Sequence, residues 1–361
     1  MIEDIFYTAV WCSNDEHSFK LSIPLELLGK SIQQFHSSYK MNIVFLEGKN
    51  FISSDYISKL SDSFNIIDYS KEFIEIKKQF PQIVREYNSY ETNCFLRWIA
   101  FKDICKNQAH FIHLDSDIIL HTSLDEIANF CQGRTFMLQG CPVLLSVSEF
   151  TWFDIYEKEL CKLNTNSIEY SQIAYNIKKN IKQKDNFLCN ESLYRNPIGS
   201  DQDLLEYLVS AEKIMQNSSK EIYNSKFYFI QNALAVKKWH YNQVAEIKNF
   251  FMQKNSFTIS YENKIVPFIH YQNTFTQYAE TYLFLIKFFS LNSLIIKLIL
   301  KFKIEDSLFI TNRLYNFIRK FINKIGFKLT RKEVIEQMML TNNKNNILNI
   351  VNLLNMVLKI K

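Results

Sequence analysis

Glycine and proline are scarce in this chain, at six and five among 361 residues. That scarcity excludes a collagen-like, low-complexity or linker-rich polypeptide. No Cys-x-x-Cys pair occurs. Cys12, Cys94, Cys105, Cys131, Cys141, Cys161 and Cys189 are scattered and odd in number. A paired-thiol zinc or redox motif is therefore missing, and the thiols read as reduced, mostly core residues of a cytoplasmic chain. The opening Met1-Ile-Glu-Asp-Ile-Phe has neither the basic start nor the apolar segment of a signal peptide. No internal repeat is visible. Residues 8–20 contain no glycine, which weighs against a glycine-rich phosphate loop at that place.

What is present is apolar and aromatic. About half of the chain is hydrophobic, at 47%, so 361 residues suffice for a large core. The net charge of +5 hides an asymmetry. Residues 287–361 hold 14 Lys and Arg against 4 Asp and Glu, a net +10, which leaves −5 on the rest. A mildly acidic body thus carries a basic end. The apolar run Thr281 to Leu300 is broken by Lys287, Asn292 and Lys297, which makes it a poor membrane span. Phe309, Leu314, Phe317, Ile318 and Phe321 then alternate with Arg313, Arg319, Lys320 and Lys324. A basic amphipathic helix of this kind reads as an element for an anionic membrane surface, or else as a packing or homo-oligomer contact. Nucleic acid is not an expected partner, because no reading motif accompanies the charge.

The first ~120 residues alternate strand and helix patterns, which predicts a mainly parallel α/β sheet. Strands are expected over Asp4–Trp11, Asn42–Leu46, Phe64–Asp68 and Phe111–Leu120, with helices over 22–38, 53–63 and 89–107. Further on, a helix is expected over Leu124–Cys131, a strand over Thr135–Leu138 and helix over Glu149 to about Lys184. Gly199-Ser-Asp-Gln-Asp203 reads as a polar loop capping a helix from Leu204. Phe227–Val236 and Phe257–Tyr271 read as late strands, the latter a hairpin turning at 262–264; from about 276 the pattern is helical.

Asp115-Ser116-Asp117 interrupts the apolar run Phe111-Ile-His-Leu114 … Ile118-Ile-Leu120. Two bare carboxylates inside such a strand would be costly. At the mouth of a strand, with period-two geometry turning both to one face, they suit a hard cation such as Mg²⁺ or Mn²⁺ that also takes phosphate oxygens. Ligands of parallel sheets bind beyond the carboxyl ends of the strands, so fold and motif point to one place.

With Arg97-Trp-Ile-Ala-Phe-Lys-Asp upstream, this segment resembles nucleotide-sugar glycosyltransferases of the GT-A fold, in particular the family-8 galactosyltransferase and glycogenin group. The resemblance covers roughly residues 4–275. It implies a GT-A-like (Rossmann-like) catalytic domain over 1–275; the remainder, 276–361, reads from its charge and pattern as a basic helical C-terminal region. It implies Asp115, Asp117 and His270, in Val266-Pro-Phe-Ile-His270, as ligands of Mn²⁺ or Mg²⁺. It implies Thr8, Ala9, Arg97, Asp115 and Ser116 as donor contacts, and Asp201, Gln202 and Asp203 as reaction-centre residues. The partners implied are a nucleotide-sugar donor, a UDP-sugar first, and a glycan or lipid-linked acceptor; retention of configuration is favoured. An inverting reaction would need Asp201 or Asp203 as base. The family's phosphate-binding Lys-Pro-Trp after that histidine is replaced here by Gln272, Asn273 and Thr274. Trp152 and Trp239 are candidates to stack on an acceptor sugar, although packing is the commoner use of tryptophan. The alternatives are a nucleotidyltransferase acting on a sugar phosphate and a non-catalytic binding protein with the same fold.

Overall fold

The computed structural model describes residues 5–23, 25–35, 38–138, 142–180, 198–214, 225–227, 229, 259–261 and 264–270. These all belong to one compact unit, Met1–Ala235 with Asn255–Ala279. Most of the expected strand Phe227–Val236, together with Trp239, Gln272–Thr274 and the basic region 276–361, lies outside the described residues.

Alternating β-branched and aromatic residues build β1 (Phe6–Trp11), β2 (Met41–Glu47) and β3 (Phe64–Asp68). Along β2, Ile43 and Phe45 enter one core while Val44 and Leu46 enter the other. That is the period-two pattern of a strand covered on both faces. One face carries α1 (Glu16–Ser22), α2 (Leu25–Gln34) and α3 (Ser54–Ser61), which contribute Phe19, Leu28 and Tyr56. The other carries α4 (Ser70–Gln79), α5 (Pro81–Glu86) and α6 (Ser89–Ile104), with Phe73, Ile83 and Trp98. In α6 every residue from Thr92 to Phe101 is buried, so this helix is surrounded rather than amphipathic.

The chain continues through β4 (Phe111–Leu114), β5 (Ile118–Leu120), α7 (Leu124–Cys131), β6 (Phe136–Met137) and β7 (Leu144–Val147). Next come α8 (Thr151–Thr165), α9 (Ser167–Asn180), α10 (Asp201–Ser210), β8 (Ile259–Tyr261), β9 (Lys264–Val266) and β10 (Phe268–His270). The main sheet runs β3-β2-β1-β4-β7-β6. Its first four strands are parallel, and β7 and β6 are antiparallel additions. The sheet is thus mixed, mainly parallel and flanked by helices, as expected. Strand order turns back between β1 and β4, the switch point where such sheets open a crevice.

Several sequence expectations need correction. The strand over 111–120 is two strands in different sheets: β4 pairs with β1 and β7, whereas β5 pairs antiparallel with β10. Asp115, Ser116 and Asp117 therefore occupy the turn between them and not one face of a strand. Asp201 to Asp203 form the first turn of α10 instead of a loop before it. The helix over 22–38 breaks at Ile23, and that over 149–184 breaks at Asn166. Helices α1, α4 and α5 and strand β7 are additional to the expected elements.

Gly48 ends β2 in the left-handed region, at φ 71°. A Cβ there would overlap the carbonyl oxygen of Cys12, the residue that follows β1. Gly48→Ala is expected to destabilise by more than the roughly 1–2 kcal/mol of the backbone conformation alone, because β1 must also shift. Urea denaturation compared with the exposed control Gly133→Ala separates the two terms. Gly133 shares the positive φ, at 67°, but a Cβ there meets nothing.

Candidate metal and donor site

The site lies at the carboxyl end of β4, where the chain leaves the main sheet for β5. In the antiparallel pairing of β5 with β10, His270 faces Ile118, next to the aspartate turn. His270 Nε2 lies 3.0 Å from Asp117 Oδ1 and 3.9 Å from Asp115 Oδ2. One ligand atom from each of Asp115, Asp117 and His270 falls within 4.8 Å of the others. The aspartate pair and a histidine more than 150 residues later are therefore brought together.

Asp115 divides its two oxygens. Oδ1 takes His113 Nε2 at 3.0 Å and Arg97 Nη1 at 3.3 Å, while Oδ2 turns toward His270. Burial disfavours its ionisation. The His113 hydrogen bond and the Arg97 charge outweigh burial and hold the carboxyl well below the usual range. For His270, burial disfavours the charged form, but Asp117 and Asp115 raise its pKa above the ordinary value. His113 is wholly buried, and desolvation lowers its pKa; it packs edge-on against Trp98, ring centroids 5.0 Å apart. Its place beside Asp115 is a supporting role the sequence reading missed. The available signal was a polar residue inside a strand that is buried throughout.

Arg97 faces inward. Its Nε and Nη2 reach Asp201 Oδ2 at 3.1 and 2.9 Å, and Trp98 Nε1 donates to the same oxygen at 2.9 Å. Arg97 thereby joins Asp115 to the first turn of α10, and its guanidinium lies 4.7 Å from the Trp98 ring centroid. Asp203 turns back on its own helix start, where Oδ2 accepts from Gly199 N at 2.9 Å and Ser200 N at 3.1 Å, completing a capping box with Ser200. Gln202 and Ser116 are half-buried, the first in that turn of α10 and the second between the two aspartates.

Thr8 and Ala9 sit inside β1, short of its carboxyl end, with neighbouring side chains on opposite faces of the strand. Thr8 Oγ1 is buried with no hydrogen-bond partner among the described residues. At the strand's end Trp11 meets Tyr90 edge-to-face, centroids 5.4 Å apart. Trp152 is buried against Trp98 and Tyr156 and is a packing residue.

No protein-family model matches the chain, and no curated protein matches its sequence. Solved structures do match. Those described below are glycosyltransferases. Mouse xyloside xylosyltransferase 1, in its apo form, matches at 18% identity and a TM-score of 0.29, over 38% of this chain and 50% of that one. The chain thus spans half the length of that enzyme. PaToxG glycosyltransferase matches at 14% identity and a TM-score of 0.32, over 62% of this chain and 83% of that one. No helix among the described residues is long and apolar enough to cross a membrane.

Proposed function

We propose that the chain is a metal-dependent glycosyltransferase that moves a hexose from a nucleotide-diphosphate sugar, a UDP-sugar first, to a glycan or lipid-linked acceptor. The observation that carries the reading is the convergence of Asp115, Asp117 and His270 beside the β1–β4 switch point. The donor set fits a divalent ion: two carboxylates and one imidazole suit Mn²⁺ or Mg²⁺ sharing its shell with phosphate oxygens. Asp115 is also built as a ligand, since its second oxygen is held from behind by His113 and Arg97. A bound ion of this kind neutralises charge developing on a leaving diphosphate.

The chain's own residues do the rest. His113 and Arg97 keep Asp115 ionised and oriented toward the donor crevice. Arg97 also fixes α10 against α6 through Asp201, so the half-buried Gln202 is presented on a rigid first turn. The basic end of the sequence supports an acceptor carried at an anionic surface, of the kind handled in bacterial surface-polysaccharide synthesis. Retention of configuration rests on the family-8 resemblance.

A panel of UDP- and GDP-hexoses, assayed with Mn²⁺ or Mg²⁺ for release of nucleotide diphosphate, tests the reading. Release from a UDP-hexose that stops on chelation is expected. No release from any donor, with or without metal, would overturn it in favour of a non-catalytic binding role.

A further inference from the structure

The family resemblance assigns Arg97 to the donor, yet the side chain is buried, and all three guanidinium nitrogens meet carboxylates of the protein. Nε and Nη2 hold Asp201 Oδ2 at 3.1 and 2.9 Å, while Nη1 reaches Asp115 Oδ1 at the longer 3.3 Å. One positive charge thus serves two carboxylates. Among the described residues it is the permanent cation touching either of them. His113 and His270, the other partners of Asp115, are charged only when protonated.

The two carboxylates belong to different parts of the site. Asp115 turns its other oxygen to the ligand cluster with Asp117 and His270. Asp201 opens α10 and is followed by Gln202. The helix between them is firmly held, since α6 is buried from Thr92 to Phe101. The first turn of α10 is held less closely. Its bonds from Leu204 N to Ser200 O and from Asp203 N to Ser200 Oγ are long, at 3.3 and 3.4 Å. A further tie, from the Tyr87 hydroxyl to Ile198 O at 2.8 Å, fixes the approach to α10 but not that turn.

Resting on the metal site of the reading above, we propose that Arg97 is a positioning residue that couples occupancy of that site to the fit of α10. A divalent ion on Asp115 and the hold of Arg97 on Asp201 strengthen one another.

The coupling follows from charge. Asp115 attracts the guanidinium less when it also shares its charge with a divalent ion, and the two cations then repel across one carboxylate. In a buried place neither change is screened well. Arg97 leans to Asp201, its shorter contact, and the first turn of α10 tightens with Gln202 on it. Linkage requires the converse. Without the charge of Asp201, the whole guanidinium charge stands behind Asp115, and the ion binds more weakly. The turn expected at the reaction centre is therefore set once the metal is in place. A ligand can shift α10 in this way only because it binds the two arrangements of Arg97 unequally.

The test uses the full chain and Mn²⁺ alone, with no sugar nucleotide. Hydrogen exchange in saturating Mn²⁺ is compared with exchange in chelator. In wild type the Leu204 and Leu205 amides are expected to slow by about 5-fold more than those of α3, on the opposite face of the sheet; this is the lower end of ordinary coupling. Asp201→Asn should lose that slowing and bind Mn²⁺ about 5-fold more weakly or worse, measured by titration of the ion's electron-spin signal. A direct attraction between Asp201 and the ion would weaken binding too. The same step is therefore repeated beside Arg97→Gln, where it should no longer change the affinity. An equal loss in both backgrounds would overturn the coupling. So would Mn²⁺ binding to wild type with no added slowing in α10, a comparison that decides alone if Arg97→Gln does not fold. A wild type that binds no Mn²⁺ would remove the metal site and the coupling together. A chain that shows the slowing but turns over no donor would remove the glycosyltransferase reading and leave the coupling standing.

Discussion

Arg97→Met is expected to lower the unfolding free energy by about 3–5 kcal/mol, the loss that follows when one partner of a buried ion pair is removed. The Arg97 side chain is only 8% exposed, and its partners Asp115 and Asp201 are 17% and 2% exposed. Taking away the guanidinium removes two of the three donors on Asp201 Oδ2 and one of the two on Asp115 Oδ1. Both carboxylates would then remain in a poorly solvated place with a neutral group opposite. Arg97→Lys should fall between, because a single ammonium cannot span two carboxylates as the planar fork does. The double variant Arg97→Met, Asp201→Asn should recover part of the loss, since the penalty belongs to the stranded charge. The deficit should also shrink in acid. Asp115 is held below its ordinary 3.8, so its stabilising contribution is present above that value and is lost as pH falls toward its lowered folded pKa. Denaturant unfolding at neutral pH and near pH 3 measures both effects. An unchanged midpoint for Arg97→Met would show that the guanidinium contributes no net stability there.

The same residues show which parts of the molecule can be read in the sequence. β3 and α7 stand where local composition places them, because strand branching and the Ser123 cap are signals within a few residues. Helices α4 and α5 are hidden: Lys71, Glu72, Glu75, Lys77 and Lys78 mask the stripe of Phe73 and Ile76, and Pro81 opens a helix instead of ending one. β7 shows no alternation, because it is an interior strand between β4 and β6 and is buried along its length. Asp115, Asp117 and His270 are legible as polar interruptions at the ends of apolar runs. Asp201 and Asp203 are legible as a group but not in their partners, which depend on where α6 passes.

Asp117→Asn should leave the fold nearly intact and remove metal-dependent turnover. Asp115→Asn should damage both. The two aspartates are one residue apart, yet their surroundings differ. Asp115 is an interior partner of Arg97 and His113, so neutralising it disturbs the buried charge balance of α6 and α10. Among the described residues Asp117 has a single ion-pair partner, His270, at 3.0 Å, and its side chain is 20% exposed. Its neutralisation strands only one group, whose charged form then loses the support of that carboxylate. A cation, by contrast, would lose one of two anionic ligands from a set of three. Lewis-acid stabilisation of several kcal/mol corresponds to about a thousand-fold in rate. The expected result is therefore wild-type thermal stability for Asp117→Asn in chelator, no further stabilisation on adding Mn²⁺, and turnover lower by about that factor. Wild type should melt higher with Mn²⁺ than in chelator. Equal melting of wild type in both, together with full activity of Asp117→Asn, would show that the three residues meet for a structural reason and not for a metal.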